Sequence, residues 1–232
     1  MLEYNIEKRG NYFMELYHLH LKGIRDDKWK EKKEIIIDKN FTNRLGNKIN
    51  DFNDCTSNKG LDRISNIINF GMQQSGYSPL CKMPLYGIMD CSSELKLSCD
   101  EQKILLQELR NLAFQAAIFK REMAMENFRK DNKKELPSRL HCLYATTENG
   151  INYWRENLID GDLEVFRIDT LSEPFITSEI FIPSEDCNYE QMYNGAFRYW
   201  NPKLKNMPED TFEYLVQGKV KILEKVDEIR RN

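Results

Sequence analysis

Apolar residues at helical spacing mark one long helix near the middle of the chain. The pattern advances by alternating four- and three-residue steps through Leu105, Leu109, Leu112, Ala116, Phe119 and Met123. Ser98 followed by Glu101 has the pattern of a capping box, and Pro137 cannot continue a helix. We therefore predict a helix over about residues 100–130. It would serve as a structural spine or as a partner surface, and its stripe could equally pair with a second copy of itself.

Alternating apolar and polar residues predict strands on both sides of that helix. In the first strand Tyr17, Leu19 and Leu21 share one face, which places His18 and His20 together on the other. The alternative is that both histidines are half-exposed residues of an edge strand. Further strands are predicted over residues 34–37, 164–168, 179–182 and 196–200, and on both sides of Gly218 within 212–223. Additional helices are predicted over residues 61–70 and, as a charged tail, 224–232.

The stretch 139–158 runs from a strand pattern through two hydroxyl side chains into a helix pattern. Its members are the alternating Leu140, Cys142 and Tyr144, then Thr146 and Thr147, and finally Tyr153, Trp154 and Leu158. A strand that ends in hydroxyl groups and leads into a helix with two large aromatic side chains is suited to bind a flat ring. The alternative is a strand–helix corner whose aromatic residues belong to the core.

Composition narrows the class of protein. A chain of 232 residues with 41% hydrophobic residues fits one domain with a core. The net charge of −3 disfavours non-specific binding to nucleic acid, which usually needs a basic face. No run approaches the ~18 apolar residues of a membrane span. The N-terminus is acidic and polar, unlike a signal peptide, so we expect a cytosolic protein without membrane association.

The six cysteines include no C-x-x-C pair, and in the cytosol we expect them to be free thiols. Cys81, Cys91 and Cys99 could form a zinc site, but their spacings match no compact zinc knuckle. The chain has three histidines. The chain therefore offers few suitable ligands for a metal ion, and we predict no metal site.

Three motifs in a fixed order resemble the ADP-ribosyltransferase fold. They are Tyr17-His18 on an early strand, L-Y-A-T-T followed by Tyr153-Trp154 in the middle, and F-E-Y-L-V-Q-G near the end. More narrowly, the chain resembles bacterial and phage-associated domain families of unknown function that we place beside those transferases. The resemblance implies one α+β domain over residues 1–232, with a split antiparallel β core. A long, mainly helical insertion would occupy about residues 51–137, between the first and second motifs.

The resemblance also implies NAD as the cofactor and a glycosyl transfer as the reaction. Glu213 and His18 would be the catalytic residues. Glu213, exposed at the start of its strand, would stabilise the positive charge that develops as the bond between nicotinamide and ribose breaks. His18 would hydrogen-bond the ribose hydroxyls on the adenosine side. The other cofactor contacts would come from Tyr17, His20, Tyr144, Thr146, Thr147, Tyr153 and Trp154.

The acceptor implied by the resemblance is an unidentified protein or nucleic acid, and a toxin-like or phage-conflict role would suit the group. Thr211 lies two residues before Glu213, where arginine-modifying members carry Glu or Gln, so arginine is a disfavoured acceptor. Neither Arg139 nor Glu190 is assigned a role.

The alternative is a catalytically inactive binding or assembly module of the same fold, which forms a homodimer through the long helix. An enzyme needs His18, Glu213 and an aromatic residue of the middle motif in one cleft. A binding module needs only an exposed helix stripe.

Overall fold

Residues 15–21, 33–53, 98–157 and 163–226 are described by the computed structural model of the chain. The strands are β1 (Leu16–Leu21), β2 (Glu34–Ile37), β3 (Leu143–Ala145), β4 (Leu163–Thr170), β5 (Phe175–Ser178), β6 (Phe212–Val216) and β7 (Gly218–Val226). The helices are α1 (Arg44–Asn53), α2 (Cys99–Asn132), α3 (Gly150–Asn157) and α4 (Tyr189–Trp200), with short 3-10 helices at Glu179–Phe181 and Glu209–Thr211. The predicted α+β class is confirmed. The helix predicted over residues 61–70 lies outside the described residues.

The strands form two antiparallel sheets, with the orders β1-β4-β7-β2 and β3-β6-β5. The sheets meet where Tyr17 of β1 and Thr146, just after β3, exchange both backbone hydrogen bonds at 2.8 and 2.9 Å. In a continued ladder, the next bond would join the Leu19 N–H to the Tyr144 carbonyl. Instead, His18 Nδ1 lies 2.8 Å from that carbonyl oxygen. The ring of His18 therefore separates the two sheets beyond this point.

Two apolar cores lie on the two sides of the β3-β6-β5 sheet. The core between the sheets contains Leu16, Ile37, Leu143, Ala145, Phe166, Ile168, Tyr214, Val216 and Val220. The core between this sheet and helices α2 and α4 contains Met125, Phe128, Cys142, Ala196, Tyr199, Trp200 and Leu215. Alternate residues of β6 are divided between them, because successive side chains of a strand point to opposite faces. A third, smaller cluster of Tyr17, Ile151 and Val165 packs α3 against β1 and β4.

Helix α2 confirms the helix predicted over about residues 100–130, within two residues at each end. Ser98 accepts a hydrogen bond from the Glu101 N–H, and the Glu101 carboxylate accepts one from the Ser98 N–H at 2.8 Å, which forms the predicted capping box. The buried residues of α2 all lie in its C-terminal third, where it packs on the body of the protein. Among the described residues, no helix is both long enough and apolar enough to cross a membrane.

Strands predicted from alternation are confirmed at β1, β2 and β4 and on both sides of Gly218, whose φ of 93° favours glycine. The prediction of a strand over residues 196–200 is wrong, because these residues end helix α4. Asn188 and Gln191 form a capping box at the start of that helix. Residues 179–182 are not a strand either. Ser178 accepts a hydrogen bond from the Ile180 N–H, which starts a 3-10 helix directly after β5.

The strand predicted from Leu140 begins only at Leu143. Asn43 explains the difference, since its Nδ2 donates to the carbonyls of Arg139 at 2.6 Å and Cys142 at 2.9 Å and holds this segment in turns. Helix α1, which begins directly after Asn43, was not predicted from the sequence. At the other end, β7 continues to Val226, so residues 224–226 of the predicted helical tail are strand. The rest of that tail lies outside the described residues.

Candidate functional site

Tyr17, Thr146, Glu213 and Thr177 form one row across strands β1, β3, β6 and β5. Tyr17 lies opposite Thr146, and Glu213 lies opposite Thr177. The register between β3 and β6 places Thr146 beside Glu213. Cross-strand neighbours share a face of the sheet. One residue from each of the three sequence motifs, Tyr17, Thr146 and Glu213, therefore lies on the same face.

Glu213 is 4% exposed, so the prediction that it is exposed at its strand start is wrong. Helix α4 covers this face, and Tyr199 of α4 donates its hydroxyl to Glu213 Oε2. Arg139 Nη1 donates to the same oxygen at 2.8 Å. Glu213 Oε1 takes part in neither bond. These two bonds thus orient the carboxylate through Oε2.

Arg139 is the centre of a buried cluster, although no role was assigned to it from the sequence. Its side chain is 5% exposed, and its Nε donates to Glu122 Oε2 at 3.0 Å. The guanidinium lies 4.7 Å from the ring centre of Tyr199 and 5.6 Å from that of Tyr144, which is cation–π geometry. Burial opposes the charge of Arg139, but the negative groups around it, Glu122 first, raise its pKa well above the usual value.

The two tyrosines of this cluster are neutral donors. Burial raises the pKa of Tyr144 and of Tyr199 well above the usual range, and the positive charge of Arg139 offsets only part of that effect. The hydroxyl of Tyr144 donates to the Arg139 carbonyl at 2.9 Å. This bond helps to fix the backbone of Arg139.

The buried face of α2 carries a sequence signal that points to Arg139. Glu122 and Glu126 lie four residues apart on this face, so they flank Met125, which belongs to the core. Two carboxylates on a core-facing side require cations, since an unpaired buried charge is strongly destabilising. Arg139 pairs with Glu122 at 3.0 Å, and Arg129 pairs with Glu126 at 2.7 Å.

His18 and His20 share one face of β1, as predicted, with ring centres 6.0 Å apart. This face carries Phe166, whose ring centre is 6.2 Å from that of His20, and it borders the core between the sheets. His18 and Glu213, the two residues predicted to be catalytic, therefore lie on opposite faces of the row that joins β1, β3 and β6. They do not share the one cleft that an enzyme using both residues would need, so His18 is not placed to act on a ligand beside Glu213.

The pKa of His18 is lowered to about 4, mainly by burial and to a lesser extent by the proximity of His20, while the hydrogen bond to the Tyr144 carbonyl acts in the opposite direction. The ring is therefore neutral at neutral pH. Because a carbonyl oxygen only accepts, Nδ1 carries the proton and donates to Tyr144, which leaves Nε2 as an acceptor.

Helix α3 approaches the shared face of Tyr17, Thr146 and Glu213 very closely. A Cβ atom at Gly150 would lie 2.0 Å from Thr146 Oγ1 and 3.0 Å from the Asp210 carbonyl oxygen, so only glycine fits. The helix thereby touches the 3-10 helix that leads into β6. Thr146 is buried, with its hydroxyl donating to the Phe212 carbonyl at 3.4 Å. Thr147 is half-buried, and its carbonyl accepts the Gly150 N–H at 3.0 Å.

Tyr153 and Trp154 lie half-buried on α3, with their rings edge to face and their centres 5.7 Å apart. The indole Nε1 of Trp154 is buried and finds no hydrogen-bond acceptor among the residues that the structure describes. Buried donors are normally paired. An acceptor atom of a bound molecule would therefore gain a favourable contact here.

The arrangement is suited to stabilising positive charge with an oriented carboxylate. Within the described ranges, no group of three or more histidine, cysteine, aspartate or glutamate side chains is arranged to hold a metal ion. The cysteine of the cluster is no nucleophile, because burial strongly raises the pKa of the Cys142 thiol.

A comparison with protein families gives a match over residues 16–228 to a family described as "Protein of unknown function (DUF2441)". A comparison with curated proteins finds no match. The expected kinship with a domain family of unknown function is thereby confirmed.

Proposed function

The chain belongs to this family of unknown function, and we propose that it transfers ADP-ribose from NAD to a macromolecular acceptor. The row of Tyr17, Thr146 and Glu213 carries the proposal. It brings the three motifs that suggested an ADP-ribosyltransferase onto adjacent strands, beside a split between two antiparallel sheets. That arrangement supports the split β core that the resemblance implies.

Glu213 would supply the electrostatic stabilisation of the reaction. Breaking the bond between nicotinamide and ribose passes through a transition state resembling an oxocarbenium ion, which a nearby carboxylate stabilises. Arg139 and Tyr199 hold Oε2 of Glu213, so Oε1 is the oxygen that would face the ribose. A carboxylate fixed in advance by two donors needs little rearrangement when the charge develops.

Helix α3 would hold the nicotinamide end of NAD. The buried Nε1 of Trp154 is a donor without an acceptor among the described residues, and a carboxamide oxygen is a suitable acceptor. Tyr153 and Trp154 offer ring faces and edges for stacking. His18, which lies on the opposite face from Glu213, is given a positioning role, because its ring separates β1 from β3.

Release of nicotinamide from NAD by the purified chain tests the proposal. We expect Glu213→Gln to lower the rate by about 10²–10³-fold, the usual effect of removing one electrostatic contact to a transition state. Glutamine keeps an oxygen that can accept from Arg139 and Tyr199, so the fold should survive. Release would be measured by chromatography, together with NAD binding by calorimetry.

Glu190→Gln is the matched control, because Glu190 is exposed on the outer surface of α4. It should retain the wild-type rate. The proposal fails if the wild-type chain releases no nicotinamide, or if Glu213→Gln is as active as the wild type.

A second candidate function, assembly through α2, is favoured by the position of the heptad stripe. At 100° per residue, the stripe of Leu105, Leu109, Leu112 and Ala116 lies about 160° around the helix from the buried face centred on Met125. Leu109 is 38% exposed, and the other three residues are partly exposed. A regular four–three repeat on the side of α2 that is turned away from Met125 is typical of a helix that pairs with a second copy. We therefore propose a homodimer through this stripe.

Light scattering coupled to size-exclusion chromatography tests this dimer. We expect the wild-type chain to show twice its 27.6 kDa mass at micromolar concentration. Leu109→Asp should give monomers, because the interface would bury an unpaired charge. Leu106→Asp is the control, since Leu106 is 66% exposed but lies outside the stripe. A monomeric wild-type protein, or equal dissociation by both variants, would contradict the proposed dimer.

A further inference from the structure

Glu179 is a second carboxyl group near the candidate site. It lies where the end of β5 pairs with the start of β6. Thr177 of β5 lies opposite Glu213, and Ser178 lies opposite Phe212. Glu179 follows directly as the first residue of the 3-10 helix, two residues beyond Thr177, so its backbone lies near the end of the strand pair that carries Glu213. Its side chain is half-buried, whereas Glu213 is buried.

The backbone around Glu179 is firmly held. Ser178 Oγ and Thr211 Oγ1 are both buried and lie 2.8 Å apart, which ties the end of β5 to the residue before β6. Ser178 also caps the 3-10 helix Glu179–Phe181, since its hydroxyl accepts the Ile180 N–H. Helix α4 packs against this 3-10 helix. The position of Glu179 relative to Glu213 is therefore fixed by three elements.

The charges of the cluster act on Glu179. Burial raises its pKa, the negative charge of Glu213 raises it further, and Arg139 offsets part of both effects. The effect of Glu213 on this pKa agrees with the strand register, which brings the end of β5 close to Glu213. A carboxyl group with a raised pKa is better matched to taking up a proton near neutral pH than an ordinary glutamate.

We infer that Glu179 is the general base that deprotonates a hydroxyl acceptor during the transfer, while Glu213 stabilises the ribosyl cation. The inference rests on the proposed function. Two carboxyl groups at one site with different environments can divide such roles between them. Thr211, two residues before Glu213, has its hydroxyl engaged with Ser178 and Pro208 and cannot serve as the base.

The step is balanced without a further reactant. The bond between the ribose C1′ and the nicotinamide nitrogen breaks, and its electron pair goes to the ring nitrogen, which becomes neutral. The acceptor oxygen forms the new bond to C1′. Its proton goes to the carboxylate of Glu179, which later releases it to solvent. Water and methanol are the simplest hydroxyl acceptors and serve as probes.

The test compares the full-length wild type, Glu179→Gln and Glu173→Gln between pH 4.5 and 8, with NAD in water and in aqueous methanol. Glu173 is exposed shortly before β5 and is the control. At pH 7 we expect Glu179→Gln to form ADP-ribose and its methyl glycoside about 10²-fold more slowly, with unchanged NAD affinity. The wild-type rate should fall at acid pH as the base becomes protonated. That acid limb should vanish in Glu179→Gln and persist in Glu173→Gln.

The outcomes separate the two proposals. A wild type that releases no nicotinamide overturns the proposed function and this inference with it. An active wild type with an equally active Glu179→Gln, or with an acid limb that persists in that variant, overturns the inference and leaves the proposed function standing.

Carbon-13 titration of the glutamate side chains adds a check in the absence of NAD. The pKa of Glu179 should fall in Glu213→Gln, and an unchanged value would contradict the inferred proximity.

Discussion

Replacing Arg139 by methionine is expected to lower the free energy of unfolding by about 3–5 kcal/mol. Methionine fills much of the space of the arginine stem but leaves the carboxylate of Glu213 buried without its cation and Glu122 with Arg121 as its remaining cation. Removing one partner of a buried ion pair is far more destabilising than removing a surface charge, because the remaining charge keeps its full desolvation penalty.

Urea unfolding followed by circular dichroism measures this change. Arg198→Met is the matched control, since Arg198 is exposed on α4 and its replacement should alter stability by less than about 0.5 kcal/mol. A triple variant that combines Arg139→Met with Glu122→Gln and Glu213→Gln should recover part of the lost stability, because the uncompensated charges are then gone. Equal effects of the two arginine variants would show that the buried cluster does not stabilise the fold.

Replacing Gly150 by alanine is expected to lower the free energy of unfolding by about 2–3 kcal/mol, at the upper end of the range for overpacking a core. The new Cβ would lie 2.0 Å from Thr146 Oγ1 and 3.0 Å from the Asp210 carbonyl oxygen, so α3 must move away from β3 and from the turn before β6. The effect runs against the helix propensity of the two residues, since alanine is favoured over glycine inside a helix.

The double variant Thr146→Ala with Gly150→Ala isolates the steric cause. Removing the hydroxyl relieves the closest contact, so the double variant should be more stable than Gly150→Ala alone. Gly195→Ala provides a comparison, because its Cβ would meet Pro183 at a milder 3.2 Å. If the double variant is no more stable than Gly150→Ala, the close approach of α3 to Thr146 is not the source of the effect.

The elements predicted correctly are those whose pattern reflects local physics. A capping box and a long helical repeat specify α2, and alternation specifies β1, with His18 and His20 on one face. Local patterns fail where a side chain from elsewhere intervenes. Asn43 binds two carbonyls in the stretch 139–142 and delays the start of β3, which alternation could not reveal.

The candidate site was predicted in its motifs but not in its environment. Glu213 is selected from the sequence by its place at a strand start, and the register of β3 and β6 places Thr146 beside it. Its burial depends on α4, whose last residues, 196–200, are predicted as a strand because of their closely spaced aromatic residues. Arg139 is not identified from the sequence, because the two glutamates of α2 indicate a buried cation only once it is known which side of that helix is covered.

The cluster at Arg139 also has a consequence for the order in which the protein folds. Its side chain joins Glu122, Tyr199 and Glu213, which are 17, 60 and 74 residues away along the chain. The near contact can form early, because only the end of α2 and the turns that follow it separate the two residues, but the far contacts close long loops and are slow to form. Before β6 and α4 pack against them, Arg139 and Glu122 stay hydrated, and the site is exposed to solvent. We therefore expect Arg139 and its carboxylate partners to lose their water late in folding, in the step that completes the native structure.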